Sequence, residues 1–235
     1  VDTQTRHSLK QDSFIQAATN SVSWLSGHRS GVTRWIVVAV AVVVVAGGLL
    51  IYSNWRSSFA DAALGAALDT YDAPLAQPGA PWEKGVYASV GDRSRAANQQ
   101  FVAIAKQYGW LSEGAKAHYF AGVTYEDLGQ DGAAESELKI AAKCWNRNLS
   151  NLAKLALAGL YHETDRDAQA IDIYSALAAK PSDTVPAAVA QLNLADLYAA
   201  SGKQDQARAL WAKVKDADKD GVSGSIAAQK LGDKQ

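Results

Sequence analysis

The chain of 235 residues is 48% hydrophobic and 20% charged, with 23 basic and 24 acidic residues that nearly cancel and one cysteine, Cys144. This composition is too apolar and too weakly charged for a disordered chain, excludes a polybasic nucleic-acid binder, and leaves Cys144 without an intramolecular disulfide partner. The mean hydropathy of -0.14 is that of an ordinary soluble protein, but it averages one very apolar segment with a polar remainder.

Between Asp12 and Gly27 the apolar residues Phe14, Ala17, Ala18, Val22 and Leu25 recur at helical spacing, with Gln, Asn, Ser and Thr opposite. Residues 1–34 therefore read as an arm carrying a short amphipathic helix. Placed just before a membrane segment, it would lie in the interface with Phe14 and Trp24 at the acyl boundary, or dock on a partner protein.

Residues 35–52, WIVVAVAVVVVAGGLLIY, carry no charge, and as a helix they span roughly 27 Å, close to the hydrocarbon thickness of a bilayer. Only a helix satisfies its own backbone in lipid, so the environment overrides the strand preference of valine. Trp35 at one end and Tyr52 with Trp55 at the other are expected as headgroup anchors. The preceding flank carries Arg6, Lys10, Arg29 and Arg34 against Asp2 and Asp12, whereas the 30 residues that follow offer only Arg56 as a base. The positive-inside rule then predicts a cytoplasmic N-terminus and, in a bacterium, a single-pass inner-membrane protein with residues 53–235 in the periplasm. That portion carries 19 basic and 22 acidic residues, which gives it no reason to adhere to anionic lipid. Ala60-Asp61-Ala62 matches a signal-peptidase pattern, but the long polar stretch before the apolar run, together with Trp55 and Arg56, argues for an uncleaved anchor.

The remainder repeats itself. Tyr125, Tyr161 and Tyr198 end three similar segments and lie 36 and 37 residues apart. A small residue nine further on recurs in step (Ala134, Ala170, Ala207), and so does a large residue four beyond it (Leu138, Tyr174, Trp211). Turn signals separate the tyrosine from the alanine: Gly129-Gln-Asp, Asp165-Arg-Asp and Gly202-Lys-Gln-Asp. Each unit thus reads as helix, tight turn, helix. A small residue in the first helix (Gly122, Ala158, Ala195) lets the second approach closely, while the large residues fill the space towards the next unit. Upstream, Ala97 and Phe101 precede Ala134 and Leu138 by 37 residues, so residues 93–108 read as the second helix of a leading unit whose first helix is residues 57–71. A loop insertion at residues 73–92, holding Pro74, Pro78 and Pro81, separates them, and a capping helix at residues 223–231 is expected to close the array.

The three units, AKAHYFAGVTYEDLGQDGAAESELKIAAK, NLAKLALAGLYHETDRDAQAIDIYSALAAKP and AVAQLNLADLYAASGKQDQARALWAKVK, resemble the tetratricopeptide repeat (TPR). They depart from its common pattern in lacking Trp at the fourth position, and Asp165 stands where Gly is usual, which implies a longer or strained turn. The predicted fold is all-α, one N-terminal transmembrane helix followed by a TPR-like α-solenoid of about four helix pairs. With the segment FVAIAKQYG (Phe101 to Gly109) and the closing SGSIAAQKL, the whole arrangement resembles the bacterial YfgM-like TPR family, ancillary to the Sec translocon. That resemblance implies a scaffold whose protein partners are the Sec channel and periplasmic chaperones. A structural accessory subunit of another inner-membrane complex, contacting its partners through the span and the arm, is the alternative.

Asp216, Asp218, Asp220 and Gly221 have the opening spacing of a calcium loop, but the twelfth position, where a bidentate Glu should close it, is Ala227. A solvated acidic turn is the favoured reading. His7, His28, His118 and His162 show no metal-ligand spacing, and no nucleophile, phosphate or dinucleotide motif is present, so neither enzymatic activity nor a cofactor is expected. What remains is a surface. The first helices of TPR units line a groove, and here those positions fall at Tyr119, Val123, Glu126, Asp127, Leu155, Gly159, His162, Glu163, Leu192 and Asp196. The groove is expected to be apolar with an acidic edge, suited to an extended or helical apolar segment with a basic flank.

Overall fold

The computed structural model describes residues 29–77 and 85–232. The amphipathic segment with Phe14 and Trp24, and the prolines Pro78 and Pro81, lie outside them. The described residues hold nine α-helices: α1 Arg29–Tyr71, α2 Val90–Tyr108, α3 Ser112–Asp127, α4 Asp131–Ala141, α5 Arg147–Glu163, α6 Asp167–Ala179, α7 Ala187–Ala200, α8 Gln204–Ala217 and α9 Val222–Gly232. Outside the helices the one β feature among them is an isolated parallel bridge between Leu75 and Tyr87. The chain is all-α, and it forms two compact units, residues 1–56 and residues 57–235.

In the first unit α1 carries an unbroken apolar surface. Its most apolar window of 18 residues has a mean hydropathy of 2.7 and none of it is buried. Trp35, Val43 and Ile51 are each at least 70% exposed. Among the described residues none covers these side chains, and the helix is long and apolar enough to cross a membrane.

The second unit is a stack of helix pairs. The last turns of α1 present Ala60, Leu64 and Ala67, at i, i+4 and i+7, to Ala97, Phe101 and Ile104 of α2 at the same spacing. Phe101 is fully buried and stacks on Phe120 of α3 with ring centroids 5.2 Å apart. The repeat register predicts a start for α2 at Arg93, yet the helix begins at Val90. The cause is Ser89, whose hydroxyl accepts from the Asp92 backbone N–H and so satisfies a donor that would otherwise be orphaned. Between α1 and α2, Ala76 N–H donates to Tyr87 O and Tyr87 N–H to Pro74 O, which ties the ends of that connection together. Two buried polar residues lock α2 to α3: Asn98 donates to Ala121 O and to Thr124 Oγ1, and the Thr124 hydroxyl donates in turn to Phe120 O.

The following pairs, α3 with α4, α5 with α6 and α7 with α8, place the recurring residues where their sizes require. Ala134, Ala170 and Ala207 are fully buried, and Leu138, Tyr174 and Trp211 are buried beside them. At Gly122 the helices come so close that an added Cβ would lie 2.6 Å from Leu138 Cγ. From α2 onward each helix packs on the next in sequence, α3 also touches α5, and α9 packs Ala227 against Trp211 and Val214.

All three turns within the pairs have three residues and one geometry. Gln130, Arg166 and Lys203 donate their backbone N–H to the carbonyls of Tyr125, Tyr161 and Tyr198, five residues back. The residue before each donor bonds three residues back, to Glu126, His162 and Ala199. This is the Schellman arrangement, and it needs a left-handed residue at its centre. Gly129 and Gly202 take φ of 67° and 77°; Asp165 takes 58°. The second turn is therefore no longer than the others and carries strain at Asp165, since an L side chain is disfavoured there.

Candidate functional site

Helix α3 places Tyr119, Val123 and Glu126 at i, i+4 and i+7, one stripe of its surface. One repeat later, in the register that aligns Tyr125 with Tyr161, Glu163 occupies the position equivalent to Asp127 at the end of α5. Repeat stacking thus brings like charges together. Glu126 is half-buried, and burial with repulsion from Glu163, Asp127 and Asp131 pushes its carboxyl up to about 7. The hydroxyls of two tyrosines border the same charges. Tyr174 of α6 is pushed up to about 12 by burial, then by Glu163 and Glu126, and Tyr119 is raised by burial and Glu126. No cation pairs with Glu126 or Glu163 among the described residues. Beside them the Gly159 position of α5 is open, with nothing within 4 Å of where a Cβ would stand. The result is a face that is aromatic, acidic and uncompensated.

The other groove positions are differently employed. Asp127 is held by the Ser94 hydroxyl at 2.9 Å and by the Tyr71 hydroxyl, tying the end of α3 to α2 and α1. Asp196 accepts from Trp211 Nε1 at 3.2 Å and pairs with Lys230 Nζ at 3.1 Å, which fixes α9 onto α7 and α8. His162 is exposed and hydrogen-bonds Asp167. Leu155 and Leu192 are half-buried and pack against core clusters within the stack. Of the acidic calcium-loop residues, Asp218 accepts the Gly224 backbone N–H at 3.2 Å at the start of α9. Among the described residues no group of three His, Cys, Asp or Glu side chains is arranged to hold a metal ion.

The sequence reading passed over a second concavity. A cleft of about 870 Å³ opens between α4, α5 and α6, with Cys144 and Trp145 on its rim. Its lining holds five cations, Lys139, Lys143, Arg147, Lys154 and Lys180, against one anion, Asp172. A signal for it was present, because Lys106, Lys143 and Lys180 recur at intervals of 37 residues, each at or just beyond the end of a second helix.

No protein-family model matches this chain, and no curated protein matches it. Among solved structures, it is similar to a crystal structure of nearly identical TPR-like repeats described as a kinesin light chain of Podosopora anserina. The TM-score is 0.51 at 15% sequence identity, over 60% of this chain and 76% of that one. The likeness is one of fold: the repeat stack is TPR-like.

Proposed function

We propose that this protein is a membrane-anchored TPR scaffold, with residues 35–52 in a bacterial inner membrane and the repeat unit in the periplasm, where it recruits partners at the Sec translocon, including chaperones. The resemblance of the repeats and of the closing SGSIAAQKL segment to the YfgM-like family supports that location. The observation that carries the binding role is the face formed by Tyr119, Glu126, Glu163 and Tyr174. It concentrates two carboxylates, with no ion-pair partner among the described residues, beside two tyrosines, where the first helices of stacked repeats meet. A segment with an apolar ridge and a basic flank would relieve the repulsion and cover the Tyr119 ring.

Extraction of native membranes in mild detergent, followed by recovery of the tagged chain, tests the proposal. Translocon or chaperone components are expected with the wild type and are expected to be lost in a Glu126→Lys/Glu163→Lys variant. Recovery of an unrelated membrane complex, retained by the double variant but lost on deleting residues 1–56, would instead mark an accessory subunit that binds through its span.

A further inference from the structure

The basic cleft between α4, α5 and α6 lies on a different face from the acidic one. On α5, Arg147, Ser150, Asn151, Lys154 and Leu157 line the cleft, while Leu155, Gly159, His162 and Glu163 point elsewhere. At 3.6 residues per turn the two sets are centred roughly 130° apart around the helix. A ligand can therefore occupy one without touching the other.

The cleft has an apolar floor and a charged rim. Leu157 and Leu177 are buried at its base with Ile173 beside them. Trp145 is 86% exposed at the mouth, an unusual cost for so large an apolar ring. Lys139 is paired with Glu135, but Lys143, Arg147, Lys154 and Lys180 form no ion pair among the described residues. Four unpaired cations against the single anion Asp172 raise the potential in this concavity and favour an anionic ligand. The segments outside the described residues offer no match. Residues 1–28, 78–84 and 233–235 each hold equal numbers of acidic and basic side chains, so none supplies an acidic run.

We infer that this cleft is a second docking site, one that takes an acidic peptide segment of a protein partner carrying a large apolar anchor residue. The anchor inserts over Leu157, Ile173 and Leu177 and is flanked by the Trp145 ring, while carboxylates on either side meet Lys143, Lys180, Arg147 and Lys154. A cleft of about 870 Å³ accommodates one or two large side chains with their backbone, within the usual range of ligand pockets. The repeat stack then engages two partners of opposite charge on separate faces. This reading does not depend on the identity of the partner on the acidic face.

The test uses the full chain in nanodiscs of zwitterionic lipid and a fluorescein-labelled peptide, Glu-Asp-Leu-Glu-Phe-Asp-Glu, followed by fluorescence anisotropy. Binding is expected to weaken roughly ten-fold or more in a Lys143→Glu/Lys180→Glu variant, whose exposed side chains leave the core untouched. Trp145→Ala, and replacement of the peptide's Leu and Phe by Ser, are each expected to weaken it several-fold, whereas Glu126→Lys leaves it unchanged. Thermal melts followed by circular dichroism check that the variants remain folded. The inference is overturned if the double variant binds as wild type does. It is equally overturned if a Lys-for-Glu and Lys-for-Asp peptide binds as tightly, or if vesicles containing phosphatidylglycerol bind at the cleft while the peptide does not.

Discussion

Arg166 Nη1 lies 2.7 Å from Glu135 Oε2, and the same guanidinium sits 4.4 Å from the centroid of the Tyr161 ring. Glu135 belongs to α4 and Arg166 to the turn between α5 and α6, so this cluster joins one repeat to the next. Lys139 and the Tyr161 hydroxyl also donate to Glu135. These hydrogen bonds hold the Glu135 carboxyl at about 2. Its folded value is depressed below the unfolded 4.5, so its contribution is present above pH 4.5 and is lost as pH falls towards 2. Glu135→Gln is expected to destabilise the fold by about 1–2 kcal/mol at neutral pH and to flatten acid unfolding in that window. Urea titrations of both proteins across that range check it.

Glu126 titrates in the opposite sense. Its folded value, about 7, lies above the unfolded 4.5, so the protonated carboxyl favours the fold and that advantage disappears as pH rises from 4.5 through 7. The groups facing it are Glu163, Asp127 and Asp131, with the hydroxyls of Tyr119 and Tyr174. Glu126→Gln should stabilise the protein by about 1 kcal/mol at pH 8, after allowing for solvent screening of a half-exposed group, and by nearly nothing at pH 4. Midpoints of thermal unfolding at the two pH values give the comparison.

The contact of Gly122 with Leu138 makes a coupled pair. Alanine at position 122 gains helix propensity of about 1 kcal/mol, but its Cβ meets a fully buried Leu138 side chain with nowhere to go, an overpacking cost of about 1–3 kcal/mol. Gly122→Ala is expected to destabilise. Leu138→Ala alone leaves a cavity and costs about 2–5 kcal/mol. In the double variant the loss should fall below the sum of the two, because the new methyl enters the vacated space; a double-mutant cycle measures the difference.

The equivalent turn centres give a matched comparison. Gly202→Ala places a Cβ at a φ of 77° and is expected to cost about 1 kcal/mol, while Asp165→Gly relieves strain at 58° and is expected to be neutral or to stabilise by a few tenths. Equal effects of the two replacements would contradict the shared Schellman geometry.

The repeat stack was legible because its spacing is imposed by buried residues. Gly122, Ala158 and Ala195 are small where two helices must touch, and the lattice of Ala134, Ala170 and Ala207 follows from the same constraint. The turn at Asp165 was legible as an exception for a similar reason. The early start of α2 was less so, because a cap is a single hydrogen bond from Ser89 and leaves no periodic trace. Reading each repeat by its first helix found Tyr119, Glu126 and Glu163 but missed Tyr174, which reaches the same charges from a second helix. The basic cleft was missed because Lys143 and Lys180 stand just beyond the ends of second helices, whereas the groove was read from the first helices. Asp127 and Asp196, read as groove residues, are bound to Ser94, Tyr71, Trp211 and Lys230; nothing in their spacing reveals such partners.

From α2 to α9 each helix packs on its immediate neighbours in sequence. Most helix contacts are therefore closed over a short stretch of chain, the low contact order that accompanies rapid folding. A helix pair can bury its own face as soon as its second helix has been synthesised, without waiting for a distant segment to return. At each stage of synthesis the growing stack exposes one unpaired edge, and the next helix to emerge covers it. Among the described helices α9 is the last, and with Ala227 and Leu231 packed inward and Lys230 fastened to Asp196 it covers the edge that α7 and α8 leave.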